Sequence, residues 1–117
     1  MTDETADCLF CSFVSGDNQP DTVLESESSL AFRDISPQAP THVLVVPKAH
    51  HATLADLAAA DAEALVDLTR TIAAVADQEG LHDGYRVVFN TGPDALQSVL
   101  HVHAHVIGGR GLGWPPG

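Results

Sequence analysis

The amino-acid sequence predicts an α+β domain: a five-stranded antiparallel sheet with one long helix and a short helix near the N-terminus. Three features carry that assignment. Apolar residues follow a helical period in two places only, briefly over residues 8–14 and at length after Asp61. Five short runs rich in β-branched or aromatic residues supply the strands. Strands and helices are segregated instead of alternating as β-α-β units, which points to an antiparallel sheet. With 117 residues and 44% hydrophobic content, the chain makes one domain, assigned to residues 8–117 behind a flexible start at residues 1–7.

In chain order, Cys8, Phe10, Cys11, Phe13 and Val14 fall at near-helical spacing, and Ser15-Gly16-Asp17-Asn18 ends that turn. Residues 22–25 and 29–33 are short strand-like runs separated by polar residues, the pattern of a hairpin. Pro37 and Pro40 make the segment after Asp34 an ordered loop. His42-Val-Leu-Val-Val46 reads as a strand buried on both faces and closed by Pro47. Asp61 is the N-cap of the long helix. Its buried stripe is Leu65, Leu68, Ile72 and Val75, and Gly80 stops it. Residues 85–90 and 99–107 are the last two strands, joined by a polar loop.

Sixteen acids stand against five Lys and Arg, for a formal net charge of −11. Binding to DNA, RNA or anionic lipid depends on clustered cations, so nucleic-acid polymers and membrane surfaces are excluded as partners. No run approaches the roughly 20 apolar residues of a membrane span, and the first residues are acidic where a signal peptide is basic. Two cysteines do not make the disulfide framework of a small secreted domain. The expectation is a cytoplasmic protein. Seven histidines outnumber Lys and Arg together, so local positive or nucleophilic chemistry falls to imidazole.

The informative segment is His101-Val-His-Ala-His-Val-Ile107. On a strand, alternate residues share a face, so the three imidazoles would form a ridge with spacings of about 7 Å while Val102, Ala104 and Val106 enter the core. A solvated face with accidental histidines is the bland reading. A zinc or iron site is the second, since His-x-His on a strand is a frequent ligand pair. Covalent phosphoryl chemistry, with a neutral imidazole attacking phosphorus, is the third. The upstream run Asn90-Thr-Gly-Pro-Asp-Ala-Leu-Gln-Ser98 offers small donors and main-chain N–H groups, whereas no carboxylate lies near the strand in sequence to support a metal ligand. Phosphate therefore suits the ridge better than metal.

These residues resemble the histidine-triad family, whose signature alternates three histidines with apolar residues, and within it the Hint branch of purine nucleotide phosphoramidases. The likeness extends to Leu30-Ala-Phe-Arg-Asp-Ile-Ser-Pro-Gln-Ala-Pro-Thr-His42, Val46-Pro-Lys-Ala-His50, Gly84-Tyr-Arg-Val-Val88, Gln97-Ser-Val99, Gly108-Gly-Arg110 and Trp114-Pro-Pro-Gly117. It implies a HIT-like fold that hydrolyses purine nucleotide phosphoramidates, with His103 as nucleophile, His105 as donor to the phosphate oxygens, Ser98 at the leaving group and His42 supporting the cluster. Asn90 and Gln97 would lie on the phosphate side, and Asp34 would accept the ribose hydroxyls. Ile35, Phe10, Phe13 and Phe32 would form the base pocket. Two departures stand out: Ala95-Leu96 replaces a glycine pair, and Arg33 stands where a histidine is expected.

Cys8-Leu-Phe-Cys11 is a weak motif by itself, because a redox role needs a β-α-β context that is missing. The resemblance implies a structural zinc held by Cys8, Cys11, His50 and His101, and no catalytic cofactor. It further implies a homodimer joined through the long helix and the strand at residues 85–90, with Trp114 near the partner's site. Partners would be AMP or GMP derivatives. Two other functions compete: a dinucleoside polyphosphate hydrolase of the same family, and a nucleotide-binding scaffold with vestigial catalysis.

Overall fold

The computed structural model describes residues 7–117, so the expected flexible start lies outside the described residues apart from Asp7. Helix α1 (Leu9–Ser15) precedes the hairpin strands β1 (Thr22–Glu25) and β2 (Ser29–Arg33), then β3 (Thr41–Pro47). Helices α2 (Leu54–Ala60) and α3 (Ala62–Gln78) lead to β4 (Tyr85–Phe89), and β5 (Ala104–Gly108) closes the sheet. The five strands form one sheet in the order β1-β2-β3-β5-β4, and all pairs are antiparallel.

The strand β3 is central, and its alternation builds two cores. Val43 and Val45 point to the face covered by α3, where they meet Leu68, Ile72 and Val75 together with Ala104 and Val106 of β5. Leu44 and Val46 point to the other face, where Phe10 of α1 packs with Leu30 and Phe32. Every residue of β3 is buried as a result, in line with its unbroken apolar run.

Two features depart from the sequence reading. Helix α2 was not expected; Thr53 caps it by accepting from Asp56 N at 3.2 Å, and Asp61 both ends α2 and caps α3. The last strand begins at Ala104 instead of residue 99. Residues 99–103 leave the sheet because they are drawn to the segment after β3, where Val102 N donates to His51 O at 2.7 Å. The histidine ridge is therefore not one regular strand face. Gly80, with φ 72°, follows the end of α3 in the left-handed conformation, at the place where the sequence reading put the stop.

Candidate active site and metal centre

The antiparallel register carries the catalytic candidates onto the α1 face. His105 sits opposite Leu44 and His42 opposite Ile107, so the two rings are diagonal neighbours on one face. His42 Nε2 lies 2.9 Å from His105 Nδ1. The rings of His103 and His105 are 5.0 Å apart and nearly edge to face, closer than the ridge spacing expected from a straight strand.

His103 is buried, and its Nδ1 is 2.9 Å from the carbonyl of His101. A carbonyl can only accept, so Nδ1 carries a proton, and in the neutral form of the ring Nε2 is the nitrogen that keeps its lone pair. Phe10 packs edge to face on the ring at 5.1 Å and fixes its plane. His105 is neutral at pH 7: burial, with His103 and His42 nearby, pushes it down to about 4, against an opposing pull from Asp34.

His103 and His105 line one end of a hollow of about 370 Å³ between α1 and the sheet. Its apolar wall is Phe10, Phe13 and Phe32, whose rings interlock at 5.0–6.1 Å. Asp34, Ile35 and Ser98 also line it, Ile35 with 97% exposure. Asp34 Oδ1 accepts from Ser36 N at 2.7 Å, which fixes the carboxylate and leaves Oδ2 3.5 Å from His42 Nε2. Apolar wall, carboxylate and imidazole pair thus share one cavity, within the size range of small-molecule sites.

Other sequence candidates lie differently. Asn90 reaches His105 Nε2 at 3.5 Å. Gln97 is turned to the main chain: Oε1 accepts from Gly92 N at 3.0 Å, and Nε2 donates to Ala52 O and Val99 O at 2.7 and 3.1 Å. In this arrangement it braces the loop ahead of Ser98. Trp114 is 83% exposed and does not line the hollow. The tail that carries it is tied to β4, where Arg86 donates to Gly113 O at 2.6 Å.

A second cluster lies behind the first. Cys8 Sγ is 3.3 Å from His101 Nδ1, while Cys11 Sγ is 3.3 Å from His50 Nδ1 and 3.4 Å from His101 Nδ1. All four donor atoms fall within 4.8 Å of one another. Tetrahedral zinc with ordinary bond lengths requires S···N separations of roughly 3.6 Å, so the set fits with little movement. His101 is fully buried, and its Nε2 donates to Pro47 O at 2.8 Å, which leaves Nδ1 as the lone-pair nitrogen facing the thiols. Burial also pushes His101 down to about 4, partly opposed by that carbonyl, so the ring is neutral as a ligand must be.

Sequence reasoning missed Gln38 and Arg110. The N–H of Gln38 donates to His42 Nδ1 at 3.0 Å, and Arg110 Nη2 donates to Gln38 O at 3.0 Å. A main-chain donor leaves no signal in residue identity; the two prolines around Gln38 are the only trace of it.

Comparison with known proteins agrees with this geometry. The HIT domain family model matches residues 15–112. The chain is 54% identical over 102 residues to the 14 kDa zinc-binding protein of Zea mays, covering 84% of this chain and 79% of that protein. It is 44% identical over 112 residues to the adenylylsulfatase HINT1 of Arabidopsis thaliana, covering 93% and 76%. Among solved structures, the HIT family hydrolase of Legionella pneumophila superposes with a TM-score of 0.90 at 46% identity, covering 95% of this chain and all of that one.

Proposed function

Because the chain belongs to the HIT domain family, we propose that it hydrolyses the P–N bond of purine nucleoside 5′-phosphoramidates, and more slowly acyl- and aminoacyl-adenylates, through a covalent nucleotidyl-histidine. The observation that carries this reading is the bond from His103 Nδ1 to the His101 carbonyl. It leaves a bare imidazole nitrogen on a ring that lines a nucleotide-sized hollow. His103 Nε2 attacks the α-phosphorus; the P–N bond breaks, and its electron pair leaves on the amine, which takes up a proton. Water then attacks the nucleotidyl-imidazole and releases the nucleoside monophosphate and the free histidine. His105 and Asn90 stabilise the charge on the phosphate oxygens, Ser98 serves the leaving group, and Asp34 holds the ribose hydroxyls. Phe10, Phe13, Phe32 and Ile35 receive the base.

The experiment is turnover of an adenosine phosphoramidate by the wild type and His103→Ala, with intact-mass detection of the nucleotidyl adduct after acid quench. Turnover and adduct are expected to vanish together in the variant. Retained turnover would remove the covalent route, and nucleotide binding without any wild-type turnover would favour a scaffold. The name of the Arabidopsis relative puts adenylyl sulfate in the same panel.

Zinc, by this reading, is structural. Cys8, Cys11, His50 and His101 would hold it and pin α1 against the segment that carries His103. A Zea mays relative named for zinc binding supports the assignment, and so does the donor geometry. Chelation is expected to lower the melting temperature, whereas a metal-dependent hydrolase would lose activity at temperatures where the fold persists. No helix among the described residues is long and apolar enough to cross a membrane. A cytoplasmic location is a separate proposal, supported by a cysteine count of two, too few for the disulfide framework of a small secreted domain.

The assembly we propose is a homodimer. The strand β4 is an edge of the sheet, and Tyr85 and Val87 on it are 43% and 38% exposed, with Val66 of α3 at 48%. An isologous contact would cover that edge and these side chains, bringing the tied tail and Trp114 to the neighbouring subunit. Light scattering should give twice the 12.3 kDa chain mass; a monomer at micromolar concentration would rule the dimer out.

A further inference from the structure

We propose that the loop between β2 and β3 selects the tautomer of His105: the main-chain N–H of Gln38, acting through His42, makes His105 present Nε2–H to the phosphate while His103 beside it presents a bare Nε2. The role assigned to the phosphate rests on the function proposed above, but the proton positions do not depend on any substrate.

The argument starts at a group that cannot change roles. A main-chain N–H only donates, and that of Gln38 points at His42 Nδ1 from 3.0 Å. The Nδ1 of His42 must therefore be the lone-pair nitrogen, and the neutral ring carries its proton on Nε2. A doubly protonated His42 would set an N–H against the N–H of Gln38. Two acceptors lie before His42 Nε2: His105 Nδ1 at 2.9 Å and Asp34 Oδ2 at 3.5 Å. The shorter contact receives the proton, so His105 Nδ1 accepts and the one proton of neutral His105 sits on Nε2. That nitrogen lies 3.5 Å from Asn90 Nδ2; two donors cannot face each other, so the assignment also requires the Asn90 amide to be turned over, with Oδ1 accepting from His105 Nε2.

Both neighbouring rings are then set by the main chain, in opposite senses. A carbonyl, that of His101, places the proton of His103 on Nδ1. An amide, that of Gln38, places the proton of His105 on Nε2 through one intervening ring. The opposition is what phosphoryl transfer requires: two bare nitrogens would offer the phosphate oxygens no donor, and two N–H groups would leave no nucleophile.

The same assignment decides between two metal-like clusters. Asp34, His42 and His105 also bring donor atoms within 4.8 Å. A metal on His42 Nε2 would need the proton on Nδ1, where the Gln38 N–H already points, so the Asp34, His42 and His105 cluster is a proton relay and not a metal site.

Gln38 is held from outside. Arg110 Nη2 donates to its carbonyl at 3.0 Å, and Nη1 donates to Gly111 O at 2.9 Å. The side chain of Gln38 returns to Ser36 O at 2.9 Å, and Ser36 N is fixed by Asp34. Arg110 is exposed. It is a positioning residue: it grips the carbonyl of the residue whose N–H sets the relay.

Long-range ¹H–¹⁵N NMR of the uniformly labelled, ligand-free protein at neutral pH reads each tautomer directly. The expected result is Nε2–H for His42 and His105 and Nδ1–H for His103. A proton on Nδ1 of His42 or of His105 would overturn the proposal. His42→Gln keeps an N–H near the position of Nε2 and should keep His105 as Nε2–H. His42→Phe supplies no donor, so His105 should populate Nδ1–H, and kcat on the phosphoramidate should fall about tenfold or more with a smaller change in KM. Arg110→Met should shift His105 the same way to a lesser extent, at an exposed position that does not threaten folding. An unchanged His105 spectrum in both His42→Phe and Arg110→Met would also overturn the relay. Should the wild type hydrolyse no phosphoramidate, the spectra still test the relay, and only the proposed function fails.

Discussion

Leu96 holds a backbone that leucine disfavours, with φ 60° and ψ 39°, two residues before Ser98. The family resemblance leads one to expect a glycine pair at this place, and the left-handed geometry supplies a reason: without a Cβ, glycine enters it freely. Leucine has little to gain in return, since it is 83% exposed. The residue is held there by the bonds around it, with Leu96 N donating to Pro93 O at 3.1 Å and Gln97 N to Gly92 O at 3.1 Å. Leu96→Gly should stabilise the protein by about 0.5–1 kcal/mol, the left-handed penalty less the greater freedom of glycine in the unfolded chain. Urea unfolding measures it, and a lower midpoint for the variant would show that the leucine side chain contributes contacts that outweigh its backbone strain. The other departure, Arg33, is explained by its partner: both terminal nitrogens bind Glu79 at the end of α3, at 2.6 and 3.2 Å.

One carboxylate joins two elements. Asp67 of α3 accepts three hydroxyls on a single oxygen, from Ser26, Ser28 and Ser29 at 2.6, 2.8 and 2.8 Å, and thereby fastens the β1–β2 turn to the long helix. Ser29 is fully buried, so losing its acceptor strands a polar group. Asp67→Ala should cost about 2–3 kcal/mol. Partial burial raises the carboxyl, but the serine hydroxyls outweigh it and hold the group below its usual 3.8. A depressed folded value means the contribution is complete above the unfolded pKa and is lost as pH falls through the folded one. The stability gap between wild type and Asp67→Asn should stay level from neutral pH down to about 5 and narrow only below about 4; a gap that closes by pH 6 would implicate another group. At this scale the sequence was readable where period and punctuation agree. The hairpin strands stand at residues 22–25 and 29–33 as expected, and the α3 stripe holds apart from Leu65, which is only partly buried beside the core residues Ala64 and Leu68. Helix α2 was masked because its alanines carry no apolar period, although Thr53 and Asp56 mark its cap. The departure of residues 99–103 from the sheet was masked by alternation that remains perfect, His101 being drawn to cysteines 90 or more positions away. The residues that line the hollow include eight named from the resemblance, Phe10, Phe13, Phe32, Asp34, Ile35, Ser98, His103 and His105, whereas Gln97 and Trp114 do not line it. The protons on the histidines were not legible, because main-chain groups at Gln38 and His101 assign them.

The charge of −11 takes on a definite role once its few cations are located. Arg33 and Lys48 are paired with Glu79 and Glu25, each at 2.6 Å. Arg86 and Arg110 are spent on main-chain carbonyls, and Arg70 lies on α3, away from the hollow. Of these, only Arg33 borders the cavity, together with Asp21 and Asp34. Under the proposed function, the phosphate would be met by imidazole, amide and hydroxyl groups inside a negative field, an arrangement that tolerates one phosphate charge and opposes several. The rate constant kcat/KM should accordingly fall from a phosphoramidate with a neutral or cationic leaving group to a dinucleoside triphosphate and further to a tetraphosphate. Salt supplies the control, because screening shortens from about 10 Å at 0.1 M to about 3 Å at 1 M. Added salt should raise the polyphosphate rates, leave the neutral-leaving-group substrate nearly unchanged, and lower the rate for a cationic amine. Equal rates across the series, or a flat salt profile for all of them, would mean that selection lies in the fit of the leaving group beside Ser98 and that the field of the molecule has no part in it.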